Sequence, residues 1–418
     1  MIVPPTSVPP RLASPRPAPV AASPRIERLR TAGPAAMDGF WARVREEGTP
    51  LVEPDGDATL LTFVWRERRP TRNVLVLANK LADRSALGRS RMLRLPGTDL
   101  WHLTYRVRPD WQGSYHFAPD ESTEGTGPDQ DPGPDYWRQV ATNLVSDPYN
   151  PRTLAQRTPP HKSVAAAPAA LAGPHWWQPC AENPAGDTDM VTIDSDLVVG
   201  PRRVWRYRPP GHRPEDGPYP LLVLLDGDIW AETMPVAPIL DNLVATGRIP
   251  PLVALLLDSV DRPTRFTEYA CQPAFTKFLH TDLIEQGADG LGVTSDPART
   301  VIAGQSLGGL AASYAALTAP QRFGNVLSQS GAFWWPSNSP YDVDAEWFAR
   351  QLARTPREPL RWHVEVGLDE WVTLQPNRHL RDVLTARGYP LTYTEFAGGH
   401  DRLCWRARFA DALCGLLR

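Results

Sequence analysis

The chain is long, slightly acidic and of ordinary hydrophobicity. It has 418 residues, of which 42% are hydrophobic and 22% are charged, a balance that is typical of globular proteins rather than disordered or fibrous ones. Its 44 Lys and Arg residues are outnumbered by 47 Asp and Glu residues, so the formal net charge is −3. Proteins that bind nucleic acids usually carry a basic excess, and we therefore expect no nucleic-acid partner. At roughly 100–200 residues per domain, the length predicts two or three domains.

The N-terminal region has the composition of a disordered tail. Residues 1–36 are rich in Pro and Ala and lack the continuous apolar core of a secretory signal, and no segment has 18 uninterrupted apolar residues. We therefore expect a cytoplasmic protein that does not enter a membrane. Its cysteines show no CxxC spacing, which predicts reduced thiols rather than a zinc site or a redox pair. They are Cys180, Cys271, Cys404 and Cys414.

A small β domain is predicted for residues 37–150. Residues 37–46 have the pattern of a short helix, and four short segments that follow are β-branched or aromatic and separated by turn residues. These segments are 60–65, 73–78, 100–107 and 113–117. Strands at this spacing predict an all-β sandwich. Residues 119–134 are acidic and turn-rich, which predicts a loop, and 151–186 are Pro-rich and Ala-rich, which predicts an interdomain linker.

Residues 187–418 alternate between predicted strands and helices. The runs at 220–225 and 252–257 are apolar throughout, which indicates strands covered on both faces, as in a mostly parallel sheet between layers of helices. A hairpin is predicted at 189–199 and 202–208. Further strands are predicted at 299–303, 325–330, 361–366 and 391–396. Helices are predicted at 231–246, 272–286, 307–318, 345–353, 376–387 and 403–417. The pattern predicts one α/β domain of the hydrolase type.

The strongest chemical signal in the sequence is the segment VIAGQSLGGLAA at 301–312. It places a G-x-S-x-G motif between a short apolar strand and a helix, which is the context of a nucleophile elbow. Small residues two positions on either side of the serine let the strand and the helix approach closely. The motif therefore predicts that Ser306 is a nucleophile, the alternative being an ordinary Gly-rich turn.

A nucleophilic serine needs a histidine base, and α/β-hydrolases place the acid and the histidine after the serine. His363 falls in a predicted strand and His379 in a predicted helix, which favours core or surface roles for both. His400 lies in the loop FAGGHD after a strand, and we predict that it is the general base. Asp401 is next to it and is predicted to cap the following helix.

The acid of the triad is expected after the strand at 361–366, in the segment EVGLDEW. Glu370 is the favoured position, with Asp369 as the alternative. The oxyanion hole is expected to combine the backbone N–H of Leu307 with one from the loop LLDGDIW, where Gly227 and Asp228 are the candidates. Asp226, in the same loop, has an alternative interpretation as a structural turn residue.

Both predicted domains contain several distinctive strings. In the α/β domain these are LLDGDIW, MPVAPILDNL, VIAGQSLGGL, RFGNVLSQSGAFWWP and GGHDRLCWR, and in the β domain they are TDLW, QGSYHF and SDPYNP. Taken together, these strings resemble the enterochelin (enterobactin) esterase family. The resemblance covers most of the chain. It implies the same nucleophile, base and acid, Ser306, His400 and Glu370. The family pattern has an Arg before the acid where this chain has Asp369, so a Ser–His dyad stays an alternative.

The resemblance implies a substrate, a ferric catecholate siderophore with a trilactone backbone. Its iron would enter with the substrate, so that no cofactor and no protein metal site are expected. Arg265 and Arg406 would neutralise catecholate charge, and the aromatic residues Trp230, Trp334 and Trp335 would stack on aryl rings. The alternatives are core packing for the tryptophans and pairing of the arginines with neighbouring carboxylates such as Glu268.

Three other functions stay open on the sequence alone. The protein is expected to hydrolyse its ester through an acyl-enzyme on Ser306, but an esterase or acyltransferase for another aryl or acyl ester would carry the same motif. A siderophore-binding pseudoenzyme is a second alternative, against which the presence of Ser306 and His400 argues. A third makes the β domain a carbohydrate-binding module.

Overall fold

The computed structural model describes residues 13–121, 133–337 and 345–417. The chain divides into two compact units. One contains Pro174–Phe396 and Trp405–Arg418, and we call it the hydrolase domain. The other contains the described chain up to Gly173 together with the short segment Ala397–Cys404, and we call it the β-sandwich domain. Within the described residues, no helix is long and apolar enough to cross a membrane.

The β-sandwich domain is built from two four-stranded antiparallel sheets, with strand orders β1-β2-β5-β4 and β3-β6-β8-β7. Its strands are β1 (Leu51–Asp55), β2 (Ala58–Arg66), β3 (Asn73–Ala78), β4 (Leu93–Arg94), β5 (Leu100–Val107), β6 (Gln112–Asp120), β7 (Thr153–Leu154) and β8 (Lys162–Ala166). Its helices are α1 (Pro24–Ala32), α2 (Met37–Glu47) and α3 (Pro134–Val140). Phe63 and Tyr105 of one sheet share a hydrophobic core with Val76 and Phe117 of the other, so the two sheets form a sandwich.

The sequence prediction of a tail and a linker is wrong for the residues described. Residues 1–12 lie outside the described residues, but the chain forms α1 from Pro24, and Ile26 and Leu29 are buried beside α2. Ser23 caps this helix by accepting a hydrogen bond from the N–H of Ile26. The predicted linker contains β7 and β8, and β8 completes a sheet by pairing with β6. The strands avoid the prolines of this region, and the partner of β8 lies some 50 residues away in the sequence, so local composition does not reveal the pairing.

The hydrolase domain has one eight-stranded sheet of order β16-β15-β14-β13-β11-β12-β10-β9. The first six strands in this order are parallel, and β10 and β9 form an antiparallel edge. The strands are β9 (Asp187–Ile193), β10 (Arg202–Arg208), β11 (Leu221–Leu225), β12 (Val253–Leu257), β13 (Thr300–Gln305), β14 (Asn325–Gln329), β15 (Arg361–Gly367) and β16 (Leu391–Phe396). The hairpin and the parallel strands agree with those predicted.

Helices cover both faces of this sheet. They are α4 (Ala237–Ala245), α5 (Arg262–Glu268), α6 (Pro273–His280), α7 (Asp282–Gly287), α8 (Leu307–Thr318), α9 (Trp347–Arg354), α10 (Leu374–Ala386) and α11 (Arg402–Leu417). Along β11, Val223 packs in the same core as Leu310 of α8, whereas Leu224 packs with Phe409 of α11. Because successive strand residues point to opposite faces, a strand buried on both sides must be apolar throughout, as this one is. The predicted α/β-hydrolase fold with a preceding β sandwich is confirmed.

Candidate active site

Ser306 occupies a sharp turn between β13 and α8. Its backbone has φ 59° and ψ −122°, a conformation that non-glycine residues rarely adopt. Its N–H donates to the carbonyl of Gln329, and its own carbonyl accepts from Ala332, at 3.0 and 2.9 Å. The residue is half-buried. Ser306 thus has a strained backbone that is held by hydrogen bonds to the end of β14 and the loop after it. This is the geometry of a nucleophile elbow, which the motif predicts.

Gly304 of the motif is required by the close approach of the backbone at Gly308. A Cβ at Gly304 would lie 2.3 Å from the carbonyl oxygen of Gly308, which no side chain can occupy. A Cβ at Gly309 would lie 2.5 Å from Oγ of Ser328. At Gly308 the nearest atom would be Oδ2 of Asp226, at 3.3 Å. The helix therefore begins almost in contact with the end of the strand, and this contact fixes the serine between them.

The predicted oxyanion donors lie on two loops that leave neighbouring strands. Leu307 is the first residue of α8, where an N–H has no carbonyl partner within the helix. Gly227 and Asp228 follow β11, which is parallel to β13 and paired with it, so both loops leave the same edge of the sheet. A Cβ at Gly227 would lie 2.2 Å from the backbone of Leu256, and the carboxylate of Asp228 accepts from the N–H and the hydroxyl of Ser259. These contacts fix the loop.

Arg265 joins the two loops through a bidentate pair with Asp226. Its Nε and Nη2 donate to the two carboxylate oxygens at 2.5 and 2.8 Å, and Nη2 also donates to the carbonyl of Gln305 at 3.2 Å. Burial opposes the charged form of Arg265, but the charge of Asp226 outweighs it and raises the pKa of the guanidinium. The arginine thus has a carboxylate partner, as the alternative interpretation held, but that partner is not Glu268. Glu268 is paired with the buried Arg202.

Glu370 and Asp369 differ in their surroundings. Glu370 is fully buried, and its Oε1 accepts from the hydroxyl of Ser330 at 2.5 Å and from the N–H of Gly367 at 2.8 Å. The Ser330 hydroxyl also accepts from the indole N–H of Trp405 at 2.9 Å. Asp369 is half-buried. An acid that orients an imidazole must itself be held in place, and Glu370 meets this requirement through the hydrogen bonds at Oε1.

His400 lies four residues beyond Phe396, the last residue of β16, in the segment that belongs to the β-sandwich domain. Its side chain is half-buried, and its carbonyl accepts a hydrogen bond from Nδ2 of Asn79 at 2.9 Å. The next residue, Asp401, accepts from the N–H of Leu403 and so caps α11, which confirms the prediction for Asp401.

The other two histidines after the elbow have structural surroundings. His363 is buried, with Nε2 at 3.4 Å from Oε2 of Glu365. Burial acts to raise the pKa of Glu365, but hydrogen bonding to His363 and the charge of Arg408 outweigh it and lower that pKa. His379 is exposed and pairs with Glu346 at 2.8 Å. These environments agree with the core and surface roles expected for the two residues.

The tryptophans proposed to stack on substrate lie in hydrophobic cores. Trp230 and Trp335 are each 1% exposed, and Trp334 is 6% exposed. The predicted stacking role is therefore wrong for this arrangement, and the alternative of core packing holds, because a ligand cannot reach rings that other side chains cover. Arg406 is half-buried, and its guanidinium lies over the ring of Trp177 at 5.1 Å.

A buried polar chain behind the elbow was not predicted from the sequence. The indole N–H of Trp230 donates to Gln305, the amide of Gln305 donates to Gln329, and the amide of Gln329 donates to Glu365, at 2.9, 2.9 and 2.7 Å. Arg408 then donates to the second oxygen of Glu365 at 3.0 Å. The sequence does contain a signal for this polar chain, because a polar residue ends each of two apolar strands. Gln305 is the last residue of β13 and Gln329 is the last residue of β14, and buried polar side chains of this kind need hydrogen-bond partners.

The described residues contain no group of three or more His, Cys, Asp or Glu side chains that could hold a metal ion. The arrangement offers a strained, half-buried serine at the end of β13 and a buried, hydrogen-bonded carboxylate three residues beyond the end of β15, two strands away in the same parallel sheet. Such an arrangement is suited to acyl transfer through a covalent serine intermediate.

Comparison with known proteins covers both domains. Residues 197–416 match the family described as putative esterase, and residues 60–176 match the family described as enterochelin esterase, N-terminal. The iron(III) enterobactin esterase of Dickeya dadantii is 33% identical over 423 residues, which span 94% of this chain and 95% of that protein.

Solved structures give the same result. The ferric enterobactin esterase of Salmonella typhimurium has a TM-score of 0.80 at 32% identity, over 91% of this chain and 98% of that one. The enterobactin esterase of Shigella flexneri, determined in the presence of enterobactin, has a TM-score of 0.77 at 30% identity, over 90% of this chain and 97% of that one. The similarity therefore includes the β-sandwich domain as well as the hydrolase domain.

Proposed function

Because the chain belongs to the enterochelin esterase family, we propose that it is a serine esterase that hydrolyses the trilactone backbone of a ferric catecholate siderophore such as enterobactin. The relatives matched along most of their length include iron(III) enterobactin esterases and an iron(III) salmochelin esterase. The similarity extends over both domains. Opening of the trilactone separates the three catecholate arms, which weakens their joint hold on iron and releases it. The iron is part of the substrate.

The observation that carries this proposal is the elbow at Ser306, whose φ of 59° projects a hydroxyl from the end of β13. In the proposed reaction, the Ser306 hydroxyl attacks an ester carbonyl while His400 takes its proton. The N–H groups of Leu307 and of Gly227 or Asp228 bind the oxyanion. His400 then gives the proton to the leaving alkoxide, and water attacks the acyl-enzyme with the same histidine as base.

Glu370 is the proposed acid, with the role of holding the imidazole tautomer and stabilising the imidazolium. Its support is the complete burial of the side chain and the two hydrogen bonds that fix Oε1. Asp369 lacks this burial. A buried carboxylate attracts an imidazolium more strongly than an exposed one does, because little water screens the interaction. This favours Glu370 over Asp369 as the acid.

We place the reaction in the cytoplasm. The four cysteines are all free thiols, three of them buried, which is the usual state of cysteine in a reducing compartment. We retain Arg406 as a candidate contact for the anionic substrate, because a guanidinium attracts catecholate oxygens and the protein as a whole is acidic.

The proposal is tested by a Ser306→Ala variant incubated with ferric and iron-free enterobactin, followed by chromatography of the linear products. We expect hydrolysis to be abolished while quenching of tryptophan fluorescence still reports ligand binding. Ser313→Ala is the matched control, because this serine lies on α8 about two turns beyond Ser306 and donates to the carbonyl of Gly309. Linear products from Ser306→Ala at the wild-type rate would refute the nucleophile, and absence of products from the wild type would refute the substrate.

A further inference from the structure

The peptide that carries His400 is built into the β-sandwich domain, although the strand before it and most of the helix after it belong to the hydrolase domain. Gly398 forms a parallel bridge with Gln112 of β6. Ala397 is 6% exposed and belongs to the core between the two sheets of the sandwich, and Leu403 packs on Leu154 and Val164 of β7 and β8. These contacts anchor the segment at both of its ends.

Two residues of the β-sandwich domain, Asn79 and Ser114, hold the segment that carries the imidazole. Nδ2 of Asn79 donates to the carbonyl of His400 at 2.9 Å. On the following residue, Oδ2 of Asp401 accepts from both the N–H and the hydroxyl of Ser114, each at 2.7 Å. Ser114 is 1% exposed and Asp401 is 2% exposed, so water cannot replace these hydrogen bonds. Loss of a bond would leave a buried polar group without a partner, which is costly.

The segment also fits closely against the residues that hold it. A Cβ at Gly399 would lie 2.4 Å from Cγ of Lys80 and 2.6 Å from Oδ1 of Asn79. Lys80 itself has φ 63°, so its backbone turns sharply at this contact. A glycine is needed where the peptide passes these two side chains, and the turn before His400 has little room to shift.

We propose that Asn79 and Ser114 are positioning residues for the catalytic base, which they act on through the main chain and the residue that follows it. This inference rests on the proposed function of His400. Neither residue needs to touch substrate. Asn79 fixes the carbonyl of His400 and Ser114 fixes the carboxylate of the next residue, Asp401. A displacement of about 1 Å between reacting groups is enough to cost on the order of 100-fold in rate.

The test uses Asn79→Ala and Ser114→Ala in the full chain, with Asn150→Ala and Ser163→Ala as matched controls. Both control residues are buried in the same domain and make hydrogen bonds there, but none of those bonds reaches the segment 397–404. The assay is hydrolysis of ferric enterobactin, with urea unfolding measured in parallel. The controls are expected to lose stability comparably and to keep the wild-type kcat.

For Asn79→Ala and Ser114→Ala, we expect kcat to fall about 10-fold to 100-fold while KM stays within about 2-fold, since the lost bonds orient the base and do not bind substrate. Ser114→Thr keeps the hydroxyl and is expected to restore most of kcat.

The outcomes separate this inference from the function on which it rests. If His400→Ala keeps the wild-type kcat, the proposed base is wrong and the inference fails with it. If His400→Ala is inactive but Asn79→Ala and Ser114→Ala behave like their controls, the base stands and the positioning role is overturned. The positioning role is also overturned if kcat falls in all four alanine variants in proportion to their loss of stability.

Discussion

Substitution of Gly304 by Ala tests whether the nucleophile depends on contact between strand and helix. The added Cβ would lie 2.3 Å from the carbonyl oxygen of Gly308 and 2.4 Å from its carbonyl carbon. Ordinary van der Waals contact begins near 3.4 Å, so the start of α8 must move by about 1 Å to admit the methyl group. Both obstructing atoms belong to the backbone, and no side-chain rotation relieves the clash.

The expected magnitude follows from this displacement. Overpacking a core by one carbon costs about 1–3 kcal/mol of unfolding free energy, and we expect Gly304→Ala to lie at the upper end because the obstacle is main chain. Since the moving backbone carries Ser306 and the N–H of Leu307, a shift of about 1 Å is expected to lower kcat on the order of 100-fold.

Gly308→Ala is the matched control within the same motif. Its Cβ would meet Oδ2 of Asp226 at 3.3 Å and Cε2 of Tyr269 at 3.6 Å, which are side-chain atoms near ordinary contact distance. The residue is helical, where Ala is favoured over Gly by about 1 kcal/mol, so we expect stability within about 1 kcal/mol of the wild type. Its kcat should fall less than about 10-fold.

The assay is urea unfolding followed by circular dichroism, combined with hydrolysis of enterobactin under conditions where each variant is folded. The reasoning requires Gly304→Ala to be worse than Gly308→Ala in both measurements. Equal stability and equal kcat for the two variants would show that the turn accommodates a side chain at either position. The close approach of α8 to β13 would then have no part in forming the elbow.

Three further predictions concern single side chains. Glu370→Gln should lower kcat on the order of 1,000-fold, by analogy with loss of a triad acid, and Asp369→Asn less than about 10-fold, which steady-state kinetics of the two variants will check. Arg265→Lys cannot reproduce the bidentate pair with Asp226, so it should lower kcat on ferric enterobactin and on a small neutral aryl ester alike; a loss confined to the anionic substrate would instead show that the arginine binds charge. Burial first, and then the charge of a nearby arginine, lowers the pKa of His102 to about 4. Because unfolding lets this residue take up a proton, stability is lost as pH falls from about 6.5 towards 4, and His102→Gln should remove about 2 kcal/mol of the difference in unfolding free energy between pH 7 and pH 4.5.

The sequence by itself determined those features that depend on neighbouring residues. The elbow at Ser306 was predicted because strand, turn and helix follow one another within 12 residues and because a glycine at position 304 is a local steric need. The central strands were predicted because a strand buried on both faces must be apolar at every position. The cap at Asp401 is also local, since the carboxylate reaches an N–H two residues away.

The sequence also held a signal for α1 that composition obscured. Ser23 and Pro24 are a typical helix start, and the spacing of Ile26 and Leu29 places both on one buried face. The abundance of Pro and Ala around them favoured a disordered tail instead. The helix is stable because its apolar face packs against α2, and packing of this kind outweighs propensity in so short a helix.

Only the tertiary structure decided which distant groups meet. The strand β8 exists because β6 offers it a ladder partner, and no pattern within 151–186 shows that pairing. Arg265 lies within reach of Glu268 in the sequence, yet the fold brings it to Asp226, where the ends of two strands converge. Likewise, the sequence around His400 does not show that Asn79, far away in the chain, donates a hydrogen bond to its carbonyl. Contacts between residues far apart in the chain depend on how secondary structures pack, and packing is a property of the whole fold.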